Sequence, residues 1–339
     1  MRKIHIYLPG LFFVIILLSF FASCFRDQLS CACDPLLGAW PKAADFDGGA
    51  KSEAVCFIIG DYAYICTGNS GTQEFKDLWQ YDTTRKYWTQ KADLPGAARN
   101  SAVGFSIGTK GYIGTGYDGA NKLNDVWEYD PASNTWAQKD NFPGTARYDA
   151  VAFSLNNKGY ISCGYDGNFR NDLWQFDPSA PQGSQWIQKA NINGPGRSAA
   201  QVFVLNNKAY VCSGDNNGTA LNDLWMYNDS SDTWTEKRKI TNVSTDAYDD
   251  SYTSITRWNG VVLIENNLAF LTTGVAPFLI TTTWEYDSNT DLWTQYNSFG
   301  GSAREGAVGF SLGNKAFLTT GRNGSLFFDD CYEWRPNDI

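Results

Sequence analysis

The chain of 339 residues carries 27 Lys and Arg against 36 Asp and Glu, a formal net charge of −9, with 43% hydrophobic and 15% aromatic residues. That balance argues against nucleic acid as a partner, because phosphate binding needs an excess of cations. His5 is the only histidine, so Ser-His-Asp and Cys-His nucleophile systems and histidine-rich metal sites are excluded beyond it.

The N-terminus reads as a targeting segment. Arg2 and Lys3 precede an apolar run at residues 11–22, too short for a comfortable membrane span. A charged start, a short apolar core and small residues before a cysteine make a secretory signal. The stretch FASC at 21–24 resembles the lipobox of bacterial lipoproteins, with Phe21 where that family usually has leucine. The resemblance implies lipidation of Cys24 and tethering to a membrane surface. Phe25, not Asp, follows the cysteine, so the lipoprotein rule for inner-membrane retention is not met and the outer membrane of a bacterial envelope is expected. The expected organisation is a signal peptide at 1–23, a lipid-anchored linker at 24–36 and a folded body at 37–339.

Cys31 and Cys33 lie in the linker. Cys56, Cys66, Cys163, Cys212 and Cys331 fall within predicted strands, and their spacing fits no zinc pattern. These five read as small buried hydrophobes.

The body is repetitive. One landmark is an aromatic residue leading a small apolar run into glycine, at 64–68, 112–116, 160–164, 210–214, 270–274 and 317–321. The second is a phrase such as LNDVWEYD, centred on Trp79, Trp127, Trp174, Trp225, Trp284 and Tyr332. The third is a later tryptophan, at Trp88, Trp136, Trp186, Trp234 and Trp293, and its sixth copy is Trp40 near the start of the body. The last repeat therefore lacks its final strand, and one strand precedes the first repeat. Short alternating apolar runs punctuated by Gly and Asn predict an all-β chain. The offset predicts a six-bladed β-propeller of four-stranded blades, closed where the strand around Trp40 completes the C-terminal blade. Asn156-Asn157 and Gly313-Asn314 suit tight hairpins from the first to the second strand, and a first strand is expected over residues 100–107. Along the third strand, Trp127 and Tyr129 share a face and should fill the wedge between blades.

Strand-end glycine, LWxYD phrase and spaced tryptophan together resemble kelch repeats, the blades of kelch and galactose-oxidase-type propellers. The glycine doublet of that family appears here as Thr-Gly, Cys-Gly or Ser-Gly. The resemblance implies binding of proteins or sugars, with enzymes a minority. Galactose oxidase ligates copper through histidines and tyrosines, so that activity is excluded. Sialic acid mutarotases also look like kelch propellers, so an N-acetylneuraminate epimerase-like enzyme stays open.

A basic residue stands thirteen positions before each second-strand aromatic: Lys51, Arg99, Arg147, Arg197, Arg257 and Arg304. Related propellers bind ligands on the face where these begin the first strands, so the resemblance implies a cation-lined site. The alternative is an internal bridge to Asp77, Asp125, Asp172, Asp223 and Asp330, two residues before each third-strand aromatic. Arg257 breaks the rule, because Thr282 occupies its aspartate position. The preceding connection is twelve residues longer than its counterparts and includes Asp249 and Asp250, either of which is a candidate replacement partner. Arg257, Tyr248 and Tyr252 are the candidate distinctive ligand surface. Tyr117 and Tyr165, beside Asp118 and Asp166, are candidates to stack a sugar ring while carboxylates take its hydroxyls.

The expectation is a non-catalytic envelope binding protein recognising a glycan or an envelope protein. A sialic acid mutarotase-type enzyme and a structural scaffold are the alternatives. No cofactor, metal or nucleic acid is called for.

Overall fold

The computed structural model describes residues 36–242 and 252–338. The signal peptide, Cys24, Cys31 and Cys33, and the stretch 243–251 with Tyr248, Asp249 and Asp250, lie outside the described residues. Every regular element described is a strand. The first blade is β1 (Val55–Ile59), β2 (Tyr62–Cys66), β3 (Leu78–Asp82) and β4 (Tyr87–Lys91), antiparallel and adjacent in chain order. Innermost strands Val103–Ile107, Val151–Leu155, Gln201–Leu205, Val261–Glu265 and Val308–Leu312 open blades 2 to 6. Each packs on the next, and the last returns to β1, so the sheets close around an axis. The unit Leu37–Ile339 is a six-bladed propeller.

Blade 6 contributes three strands of its own, and the N-terminal segment supplies the fourth. Ala39 bridges Arg335 and Lys42 bridges Tyr332, both antiparallel. Ala39 N donates to Arg335 O at 3.0 Å and Glu333 N to Pro41 O at 2.9 Å. Trp40 is buried, edge-on to Phe299 at 5.1 Å and tilted against Trp334 at 4.6 Å. The closure expected from the Trp40–Trp88 offset is therefore present, and no sheet edge is left at the seam.

Aromatic residues fill the wedges. In blades 1 to 4 a first-strand Phe stacks on a second-strand Tyr of the same blade, and a third-strand aromatic of the next blade caps the pair. Phe57 and Tyr64 lie 5.2 Å apart with Tyr129 beside them, and Phe153 and Tyr160 lie 4.9 Å apart with Tyr227 beside them. Trp127 and Tyr129 both pack toward blade 1, as the alternation requires. The five cysteines of the body are free thiols, and burial pushes Cys56, Cys212 and Cys331 up to about 12. They behave as small apolar residues.

The first strands begin later than expected. Asn100 bridges Tyr117, Ser101 turns left-handed (φ 50°), and the regular strand starts at Val103. The reason is a hydrogen-bonded hoop around the axis. Glu53, Ser101, Asp149, Ala199, Asn259 and Gly306, each two residues after the repeated cation, all have φ between 49° and 60°. Each donates its N–H to the carbonyl of the equivalent residue in the preceding blade: Ser101 to Glu53, Asp149 to Ser101, Ala199 to Asp149, Asn259 to Ala199, Gly306 to Asn259 and Glu53 to Gly306, at 2.7–3.2 Å. A left-handed non-glycine residue costs about 1–2 kcal/mol, and the inter-blade hydrogen bond offsets it.

The glycine ending each second strand has a direct cause. At Gly116 φ is 105°, and a Cβ would lie 2.8 Å from the Asn100 carbonyl. The residue before it, Thr115, is itself left-handed with φ 58°, as are its five counterparts, so Thr, Ser and Cys here hold a conformation that a glycine would adopt without strain.

Candidate functional site

The repeated cations are internal. Arg99, Arg197, Arg257 and Arg304 are wholly buried, as is Lys51, and Arg147 nearly so. Lys51 pairs with Asp77 at 2.7 Å, Arg99 with Asp125 at 2.5 Å, and Arg147 with Asp172, Arg197 with Asp223 and Arg304 with Asp330 at 2.6 Å. Each arginine also donates to the carbonyl of the small residue ending the second strand, such as Thr115 for Arg99 at 3.0 Å. The third-strand indole completes the set, Trp127 Nε1 donating to Asp125 at 2.7 Å. One guanidinium thus ties three strands of a blade together. Burial raises the carboxyl pKa at Asp125 and Asp223, but the arginine hydrogen bonds and charge outweigh it and hold both below the usual range.

Arg257 keeps the position without the partner. Its donors reach Ile255 O at 3.0 Å, Thr273 O at 2.8 Å, Thr282 O at 3.1 Å and Thr282 Oγ1 at 3.0 Å, with no carboxylate among the described residues. Burial pushes it down to about 9. Tyr252 is buried as well, its hydroxyl accepting from Trp293 N at 2.8 Å and its ring edge-on to Trp284. The expected cation-lined surface built on Arg257 and Tyr252 is therefore corrected. These groups are committed inside the blades, because strand packing leaves the guanidinium no route to solvent.

The open feature of that face is a basin of about 1280 Å³ over the axis. Two positions per blade recur at this face, the residue after the cation and the residue after the strand-end glycine, and Asn69, Asn100, Tyr117, Tyr148 and Arg322 among them line the basin. They bridge one another as Ser52–Asn69, Asn100–Tyr117, Tyr148–Tyr165, Ser198–Asp215, Trp258–Val275 and Glu305–Arg322. The frame is constant and this pair differs in every blade. The hoop residues form the floor, opening into a throat of about 140 Å³ lined by Ala54, Ala102, Ala150, Ala200, Gly260 and Ala307.

Carboxyl groups converge there. Glu53 accepts from Asn69 Nδ2 at 3.1 Å and Ser101 Oγ at 3.2 Å, and pairs with Arg322 at 3.3 Å. Arg322 also reaches Glu305 at 3.1 Å, and Asn259 Nδ2 reaches Glu305 at 3.4 Å. Across the basin Asn100 Nδ2 donates to Glu74 at 2.8 Å. Burial, then the Glu53 charge, pushes the Asp149 carboxyl up to about 7, with Ser101 hydrogen-bonding against that trend. Burial raises Glu53 too, and the Arg322 charge limits the rise. The Ser101 hydroxyl thus stands beside two carboxyls whose pKa burial raises.

Tyr117 and Tyr148 line the basin and lie 5.7 Å apart; Tyr148 and Tyr165 are also 5.7 Å apart, and Tyr165 meets Phe169 at 5.0 Å. The carboxylates beside the tyrosines serve their own loops. Asp118 Oδ1 accepts from Ala120 N at 2.9 Å and Asn121 N at 2.6 Å. Burial works against ionisation of Asp166, but Thr145 and Arg170 hold it at about 2. Of the residues singled out from sequence, Tyr117 and Tyr165 fall at this surface, whereas Arg99, Arg147, Arg197, Arg257, Arg304 and Tyr252 lie beneath it. Sequence reasoning missed Glu53, Ser101, Tyr148, Asp149, Asn259 and Glu305; the available signal was variation one and two positions after a fixed cation.

The Kelch motif matches residues 116–142 and 196–239. No curated protein gives a significant sequence match. A solved structure described as "Structure of YjhT" is similar with 17% identity and a TM-score of 0.70, covering 85% of this chain and 95% of that one. At that identity the likeness speaks to fold.

Proposed function

We propose, on the premise that this chain is a kelch-repeat propeller, that it binds a carbohydrate in the axial basin. The observation that carries the reading is the lining. Amides of Asn69, Asn100 and Asn259, the carboxyls of Glu53 and Asp149, and the rings of Tyr117 and Tyr148 meet around one concavity. Sugars present hydroxyl groups in a ring plane with apolar C–H faces, which such a mixture of polar groups and aromatic faces recognises. Calorimetric titration of the purified protein with sugars identified on a glycan array tests it. Saturable binding lost in an Asn100→Ala, Tyr148→Ala double variant of normal melting temperature supports the reading, and capture of a protein with no sugar affinity overturns it.

A catalytic reading has one observation in its favour, the Ser101 hydroxyl between Glu53 and an Asp149 poised near neutrality. Acid–base exchange of a bound sugar's anomers is the chemistry this arrangement suits. Exchange NMR distinguishes the two, because a binding protein leaves the anomer exchange rate unchanged. Anchoring to a bacterial membrane through Cys24 belongs to the same proposal; radiolabelled palmitate incorporation lost in Cys24→Ser tests it.

A further inference from the structure

The following rests on the reading of the basin as a carbohydrate site. We infer that the ligand is an uncharged oligosaccharide of three or more units, running from the basin outward over the tops of blades 2 and 3.

Size is the first argument. Small-molecule sites span about 300–1,000 Å³, and the basin at about 1280 Å³ exceeds what one sugar fills. Direction is the second. The rings of Tyr117, Tyr148, Tyr165 and Phe169 form a continuous strip, each in contact with the next, and all four are half-buried with part of each surface exposed. Tyr117 and Tyr148 line the basin, whereas Tyr165 and Phe169 lie beyond it. The strip therefore continues the site, with ring-to-ring steps of 5.0–5.7 Å that suit successive sugar units. Lys122 marks the junction, lining the basin with its Nζ 5.8 Å from the Tyr165 ring.

Charge is the third argument. The lining holds the carboxyls of Glu53, Glu74, Asp118 and Asp149 against the cations Lys122 and Arg322. Arg322 Nη2 is shared between Glu53 and Glu305, so much of its charge is already matched by carboxylates of the protein. A sugar acid entering this field meets like charge, which selects against it.

The test is a glycan array carrying neutral and acidic structures of one to six units, followed by titration of the intact protein with the best series at each length. The expected result is affinity that climbs about tenfold or more from one unit to three and acidic counterparts that bind more weakly. Phe169→Ala should weaken the trisaccharide about fivefold or more and leave the monosaccharide unchanged, and Tyr165→Ala should weaken the trisaccharide more than the monosaccharide. Affinity independent of length, or variants that change neither ligand, overturns the extended site while the sugar-binding reading stands. Tighter binding of acidic glycans overturns the charge selection. No sugar binding at all overturns both readings.

Discussion

Arg197 closes on Asp223 through two parallel hydrogen bonds, Nη1 to Oδ1 at 2.6 Å and Nη2 to Oδ2 at 2.8 Å, with both residues buried. Planar fork meets planar carboxylate, and Trp225 Nε1 donates to the same carboxylate at 2.7 Å. Removing one partner strands the other. Arg197→Ala should destabilise by about 3–5 kcal/mol, whereas the paired change Arg197→Met, Asp223→Leu should cost less than the sum of its parts. Urea unfolding of the single and double variants reads the coupling directly.

Blade 5 offers the inverse experiment. Thr282 stands where the other blades have aspartate, and Arg257 is wholly buried on carbonyl and hydroxyl acceptors. Thr282→Asp should supply a charge-assisted partner and stabilise by about 1–3 kcal/mol. The check is a raised melting temperature near pH 7, and a fall would show that Arg257 already meets a carboxylate.

Asp149 predicts a pH dependence. Its folded value of about 7 lies above the ordinary carboxyl value, so the folded state holds a proton the unfolded chain has lost. The contribution is full below about pH 4, fades as pH rises toward 7, and is absent above it. Asp149→Asn should leave the melting temperature little changed at pH 4 and raise it at pH 8, by up to about 4 kcal/mol of stability. The facing groups Glu53, Glu305, Arg322 and Ser101 are kept in both proteins. Equal pH profiles for variant and parent would show that Asp149 titrates normally.

Trp40 secures the seam between the first and last parts of the chain. Trp40→Ala should cost about 3–5 kcal/mol, and proteolysis should then release the N-terminal segment before the body is cut. Cleavage at other loops first would place the weak point elsewhere.

Much of this architecture was legible because the repeat is strict. The 48-residue offset between Trp40 and Trp88 located the closing strand, and the spacing of Arg99 and Asp125 identified the internal bridge as one of two readings. The site was harder to see for a related reason. Glu53, Ser101, Asp149 and Asn259 occupy one structural position with different side chains, so no repeated residue type marks them and only their variation beside a fixed cation does. Their approach to the axis depends on a left-handed turn at residues other than glycine, which local propensity does not announce. Arg257 and Tyr252 failed as surface candidates because breaking a repeated rule signalled a local repacking, with Thr282 and Trp293 as the new partners.

The hoop of six N–H to carbonyl links around the axis has a mechanical meaning. No blade can tilt outward without lengthening its links to both neighbours, so loosening one joint loads the whole circle. The floor of the basin is therefore stiff, and adaptation to any guest would have to come from the loops above it. If the proposed ligand binds there, it would meet a preformed surface, and the protein would lose little ordering entropy on association.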